Sequence, residues 1–349
     1  MQPNNLNFCN NLLKINIGSK DNPKCLNYDN INVIKFLLQN LKASKHLDPL
    51  KFIAPKQLLA NCWFNTMFVT FFFSDKGRKF FRFFRNLMIT GKKYDGSPIE
   101  NIELRQNFFI LNLFIEASYN QTTSHKTTKT NNKNATLFDQ INYLTNNLHT
   151  NFFIKHIYHI ITNTNTQKYS IPNLNDAGNP LQYYTTIMGY LHYNVLQILN
   201  LHLDNNQIED LKIHDLHQYL TYKFSKYTTD VDIIIIEDMG SRMKYDTQYK
   251  FTKNGKIHNY VLDSIIITNK DHFNSQANSH FVSVLTINKE EYKFDGDSYS
   301  KLSKFKWKKL INTNKDWEFK ENVNYHPEKY NFTIGYKILF YYKSSINKK

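Results

Sequence analysis

The run QLLANCWFNTMFVTFFFSD, Gln57 to Asp75, sets a single cysteine between an asparagine and a tryptophan, at the head of a segment too apolar for any surface. It reads as a buried helix that begins close to Cys62, with Ser74, Asp75 and Gly77 as stop signals. Two readings of Cys62 compete. Cysteine is among the most buried residue types, so a lone one is by default a small hydrophobe at the edge of a core. At a helix N-terminus, however, unpaired backbone N–H groups and the helix dipole favour a thiolate. Which reading holds depends on whether the chain can bring an imidazole and a carboxylate to the sulfur.

The 349 residues suffice for about two domains or one large one, and a hydrophobic fraction of 41% with 15% aromatics excludes a wholly disordered chain. Lys and Arg outnumber Asp and Glu by 44 to 29, a net charge of +15 that favours acidic partners. The excess is dispersed. Only SKFKWKK, Ser303 to Lys309, is dense, so nucleic-acid or polyanion contact is a weak expectation. Three cysteines, Cys9, Cys25 and Cys62, cannot all pair, and none forms a C-x-x-C, so neither a disulfide framework nor a cysteine-rich zinc site is expected and the compartment reads as reducing. With no signal-peptide pattern and no apolar run of about 18 residues, the expectation is a soluble intracellular protein without a membrane span. His156 and His159, three apart, have metal-ligand spacing. No third ligand accompanies them, so packing or surface histidines are the preferred reading, and neither a metal nor a cofactor is expected.

Residues 1 to about 50 read as an N-terminal extension with an amphipathic helix in NVIKFLLQNLKA, Asn32 to Ala43. In GRKFFRFFRNLMI, Gly77 to Ile89, Phe80, Phe81, Phe84, Leu87 and Met88 share one helical face and Arg78, Arg82 and Arg85 the other, which suits a core helix with a solvated basic side. Ser118 to Thr136 reads as a polar surface loop. Helical patterns follow over Leu137 to Thr162 and Leu181 to Asp204. After Thr229 the texture changes to short β-branched or aromatic runs: DVDIIIIEDMG, NYVLDSIIITN, SHFVSVLTI, EEYKFDGDS and GYKILFYYK. Helices segregated ahead of strands indicate an α+β fold.

Among thirteen histidines, His280 is distinguished by its setting. It opens the strand-like HFVSVLTI, and a turn at NKEE leads into YKFDGDS, so an antiparallel hairpin brings His280 and Asp295 to the same end. A thiol, an imidazole to carry its proton and a carboxylate to orient the ring form the set that nucleophilic catalysis needs. Gln57, five residues upstream of Cys62, can offer an amide to an oxyanion beside the Cys62 backbone N–H, and Asn61 could do the same. Asp295, next to a Gly-Asp turn, would by itself be read as a turn former.

NCWFNT resembles the cysteine box of the ubiquitin-specific protease group of papain-like (peptidase C19-type) cysteine peptidases, with Cys62, Trp63, Phe64, Asn65 and Thr66 in its frame. SHFVSVLTINKEEYKFDGDS resembles the same group's histidine box, and GYKILFYYK its closing aromatic strand. The resemblance implies a papain-like α+β domain over 51–345, with the catalytic helix packed on a mostly antiparallel sheet and a helical insertion at about 119–228. It implies Cys62 as nucleophile, His280 as base, Asp295 (or Asp297) as orienting acid, Gln57 or Asn61 at the oxyanion, and Trp63 and Ser279 beside the substrate. Ubiquitin or a ubiquitin-like protein is the implied partner. There are departures: Gln57 stands where that group usually has Asn, Ser279 replaces a Gly, Gly296 interrupts a pair of aspartates, and zinc-binding C-x-x-C pairs are absent. The pattern reads as a divergent relative, with a large DNA virus as candidate source. The alternatives are a viral maturation protease acting on another peptide, located in host cytoplasm or virion, and an inactive basic binding or structural protein.

Overall fold

The computed structural model describes residues 7–9, 11–19, 21–43, 47–49, 57, 61–120, 180–181, 188–191, 196–203, 215–226, 231–239, 241, 243–269, 280–297, 302–319 and 328–344. In chain order the elements are β1 (Asn7–Phe8), β2 (Lys14–Asn16), β3 (Cys25–Asn27), α1 (Ile31–Lys42), α2 (Cys62–Phe72), α3 (Gly77–Phe80), α4 (Arg82–Thr90) and α5 (Ile102–Asn120). Then come β4 (Ile198–Leu203), α6 (Leu216–Lys226), β5 (Ile233–Asp238), β6 (Gln248–Lys253), β7 (Lys256–Thr268), β8 (Phe281–Ile287), β9 (Glu290–Phe294), β10 (Ser303–Lys304) and β11 (Lys337–Lys343). The chain divides into two compact units, Met1–Asn61 with Phe80–Tyr193, and Cys62–Lys79 with Asn194–Lys349. The predicted helix over Leu137 to Thr162, with His156 and His159, and all but the start of the predicted polar loop lie outside the described residues.

In the first unit α1 starts where the Asn30 side chain accepts a hydrogen bond from the Asn32 N–H at 2.9 Å. Its Val33 and Leu37 join Ile15, Ile89, Phe109, Ile110 and Leu113 in one apolar cluster. α4 ends at Gly91, whose φ of 66° is the left-handed cap that glycine adopts without strain. Two expectations are corrected here. Arg85 does not lie on a solvated basic face: it is buried, paired with Glu116 and donating to Asn112 Oδ1 at 3.1 Å. The carboxylate and amide supplied by α5 make that burial tolerable, and a reading of one helix alone does not see them. Cys9 and Cys25 are joined in a disulfide, with Cα atoms 6.1 Å apart across the β1-β2-β3 sheet. Their sequence spacing carries no trace of this proximity, and the bond removes cysteine usage as a sign of a reducing compartment.

In the second unit an eight-stranded sheet runs β10-β9-β8-β7-β11-β5-β4, with β6 also paired to β7. Its ladders are antiparallel except β4 with β5. β4 corrects the helix expected through Asp204. Leu199, Leu201 and Leu203 are buried while Asn200 and His202 are exposed, the period-two pattern of a half-buried strand. One sheet face holds a large apolar cluster that includes Val282, Val284, Leu339, Tyr341 and Trp307. Against β7 and β8 on the other lies α2, with Phe71 edge-on to Phe340 at 5.6 Å.

Every residue of α2 is buried. Its two threonines survive this by folding onto the helix: Thr66 donates to the Cys62 carbonyl at 3.0 Å and Thr70 to that of Thr66 at 3.0 Å. Beyond the helix the chain turns so tightly that a Cβ on Gly77 would lie 2.1 Å from the Thr70 carbonyl oxygen. There Asp263 of β7 accepts hydrogen bonds from the backbone N–H of Lys76 at 2.9 Å and of Gly77 at 3.4 Å.

Burial raises the Asp263 pKa to about 6, although hydrogen bonds from Ser74 and Lys76 oppose the rise. The unfolded carboxyl titrates near ~3.9, so between about pH 4 and pH 6 the folded state holds a proton that the unfolded state has lost, and stability falls as pH rises through that window. Urea unfolding should show the wild type losing roughly 1–3 kcal/mol over this range relative to Asp263→Asn, at about 1.36 kcal/mol per unit. Parallel curves for the two proteins would contradict the assignment.

Candidate active site

Cys62 is the first residue of α2 and is 4% exposed. It is the free cysteine among the described residues. His280 stands immediately before β8 and Asp295 immediately after β9, and because Ser283 pairs with Phe294 the two sit at the same end of the hairpin. His280 Nε2 and Asp295 Oδ1 are 2.7 Å apart. The same oxygen accepts the Asp297 backbone N–H at 2.9 Å, which closes a small turn and fixes the carboxylate. Asp295, not Asp297, is therefore the acid on the imidazole; Asp297 is exposed.

Burial disfavours a charged ring at His280. Even so, hydrogen bonds to Asp295 and to the Cys62 side chain, with the charges those groups carry, hold its pKa well above the usual histidine value. A carboxylate can only accept, so Nε2 carries the proton toward Asp295 and Nδ1 is the nitrogen left to the sulfur. The backbone N–H of His280 donates to Asn269 Oδ1 at 3.3 Å, tying the start of β8 to the residue that follows β7. A thiol, an imidazole and a carboxylate are the groups that a proton relay to a sulfur nucleophile requires.

The other expected residues are placed as follows. Trp63 is 3% exposed, with its ring edge-on to Phe64 at 5.8 Å. Asn61 is buried next to Cys62 in sequence. Gln57 belongs to the first unit, and its buried Oε1 has no hydrogen-bond partner. Ser279 lies outside the described residues. No group of His, Cys, Asp and Glu among the described residues could hold a metal ion.

Sequence reading missed the role of Asn65. One turn into α2 from Cys62, it is fully buried, and neither its Oδ1 nor its Nδ2 has a hydrogen-bond partner. A Cβ on Gly296 would lie 2.8 Å from Asn65 Nδ2 and 3.3 Å from Asn65 Cβ. Glycine at 296 therefore lets the residue after Asp295 close directly onto α2. The interruption of the paired acids was the visible signal, but its cause is on the helix.

No protein-family model matches the sequence, and no curated protein matches it either. Solved structures do. A SAGA DUB module of Ubp8, Sgf11, Sus1 and Sgf73 bound to monoubiquitin matches with a TM-score of 0.50 at 10% identity, covering 91% of this chain and 77% of that one. The same module bound to ubiquitin aldehyde matches with a TM-score of 0.48 at 8% identity, covering 86% and 71%. At such identity the likeness to the first is one of fold.

Two outcomes follow from the site geometry. Asp295→Ala should lower the His280 ring pKa toward the ordinary value of about 6.5, followed by NMR of the imidazole protons across pH. An unchanged titration would remove Asp295 from the relay. Gly296→Ala should destabilise the fold by roughly 1–3 kcal/mol through overpacking against Asn65, and a paired Asn65→Ala should recover most of that loss in denaturant unfolding.

Proposed function

We propose that the protein is a thiol-dependent hydrolase of the ubiquitin-specific protease type, with a papain-like arrangement of Cys62, His280 and Asp295. The observation that carries this is the imidazole of His280, hydrogen-bonded to a buried carboxylate and held above its usual pKa by that carboxylate and by the side chain of the helix-terminal Cys62. The fold shared with a chain of a ubiquitin-bound DUB module supports it.

In this reading the Cys62 thiolate attacks an amide or isopeptide carbonyl. The C–S bond forms, and negative charge moves to the carbonyl oxygen, where the Cys62 backbone N–H is a donor; Gln57 and Asn61 are the sequence-based proposals for a second. His280, protonated, gives its Nδ1 proton to the leaving amine as the C–N bond breaks. Water then loses a proton to the neutral ring and attacks the thioester, releasing the carboxylic acid and restoring the thiolate–imidazolium pair. Asp295 holds the ring in one tautomer throughout. Substrate with a ubiquitin-like C-terminal tail is the proposal for specificity, and Trp63 and Ser279 remain proposed neighbours of it.

A ubiquitin bearing a C-terminal electrophile should label the wild type at one cysteine. Cys62→Ala should abolish labelling and His280→Ala should slow it by about 10²-fold or more. Reaction with a small thiol-directed peptide electrophile but not with the ubiquitin probe would redirect the reading to a protease of other specificity. Reaction with neither would end it.

A further inference from the structure

Resting on the hydrolase reading above, we propose that Asp75 is a positioning residue for the reaction centre, clamping the far end of the nucleophile helix to the hairpin that carries His280 and Asp295.

Asp75 follows α2 and makes three contacts with the β8–β9 hairpin. Its N–H donates to the Thr286 carbonyl at 2.8 Å. Its carboxylate takes the two turn amides, Oδ1 accepting from Asn288 N–H and Oδ2 from Lys289 N–H, both at 2.8 Å. Arg78 donates to Oδ1 at 3.1 Å and holds the carboxylate in place. Asn288 and Lys289 have φ of 50° and 67°, the left-handed pair of a two-residue hairpin turn, which non-glycine residues adopt only at a cost. In such a turn these N–H groups point away from the strand ladder and need an acceptor from elsewhere. One carboxylate satisfies both.

The consequence is geometric. α2 is about 16 Å long by helical rise and β8 about 24 Å by strand rise. They lie against each other as two bars, with Asp75 pinning them where both end. The reacting groups are at the opposite end, Cys62 beginning the helix and His280 preceding the strand. Removing the pin frees α2 to slide and tilt along β8, and the displacement is felt as a change in the sulfur–imidazole separation. Asp263 grips the same loop from β7 through Lys76 and Gly77. That grip keeps α2 on the sheet when Asp75 is lost, so Asp75 governs alignment while attachment has a second support.

Cys9 and Cys25 being bonded to each other, iodoacetamide at pH 6 reads Cys62. Under the hydrolase reading the rate of that alkylation follows how closely the imidazole is held to the sulfur. Asp75→Ala should speed amide hydrogen exchange at Asn288 and Lys289 by about tenfold or more, leave exchange at Val282 to Leu285 protected, and slow Cys62 alkylation at pH 6 by about tenfold. Asp75→Asn keeps one acceptor oxygen and should fall between wild type and Ala; it carries the test if the alanine variant does not fold. Faster turn exchange with alkylation within twofold of wild type would overturn the proposal and leave Asp75 a structural pin. Alkylation of the wild type no faster than that of His280→Ala would instead sink the sulfur–imidazole relay, so the two failures are distinct.

Discussion

A helix with no exposed side chain must be covered on every side before its first residue can be held anywhere, and on one side of α2 that cover is the sheet, through β7, β8 and Phe340 of β11. The apolar residues of α2 supply attraction but no direction, since hydrophobic burial is nearly indifferent to sliding. Direction comes from a few hydrogen bonds between carboxylates and backbone amides at the helix's closing turn, made by Asp263 from the sheet and Asp75 from the loop. Apolar burial and directed polar contacts together fix where Cys62 lies relative to the hairpin.

The Cys62 end of the helix follows the same division of labour. Strand register puts His280 and Asp295 side by side at the mouth of the β8–β9 hairpin. The small turn from Asp295 to Asp297 aims the carboxylate, and the absent side chain at Gly296 lets that turn close on Asn65. Asp295 and the Cys62 side chain favour the charged His280 ring, and its pKa lies above the usual histidine value although burial acts the other way.

Much of this was legible in the sequence wherever a local pattern was strong. The apolar run after Cys62, the β-branched runs of β5 and β7 and the aromatic run of β11 each declare an element, and the four residues around the β8–β9 turn declare a hairpin. Features that depend on a distant partner were not legible. Arg85 looks solvated until Glu116 is brought to it, and Cys9 and Cys25 look unrelated until β2 separates their strands. β4 was misread because LQILNLHLD offers leucines at both helical and strand spacing, and the neighbouring β5 settles the choice in favour of a parallel strand. Asp75 reads as a helix stop signal and is one; its hold on amides 213 and 214 positions away has no local signature.

The Cys9–Cys25 bridge has a practical side for anyone handling the protein. A reductant added to keep the Cys62 sulfur from oxidising also opens the bond that ties β1 to β3. Rates measured with and without reducing agent thus compare two differently stapled molecules as well as two oxidation states of one sulfur. Serine at both bridge positions gives a form in which those effects come apart.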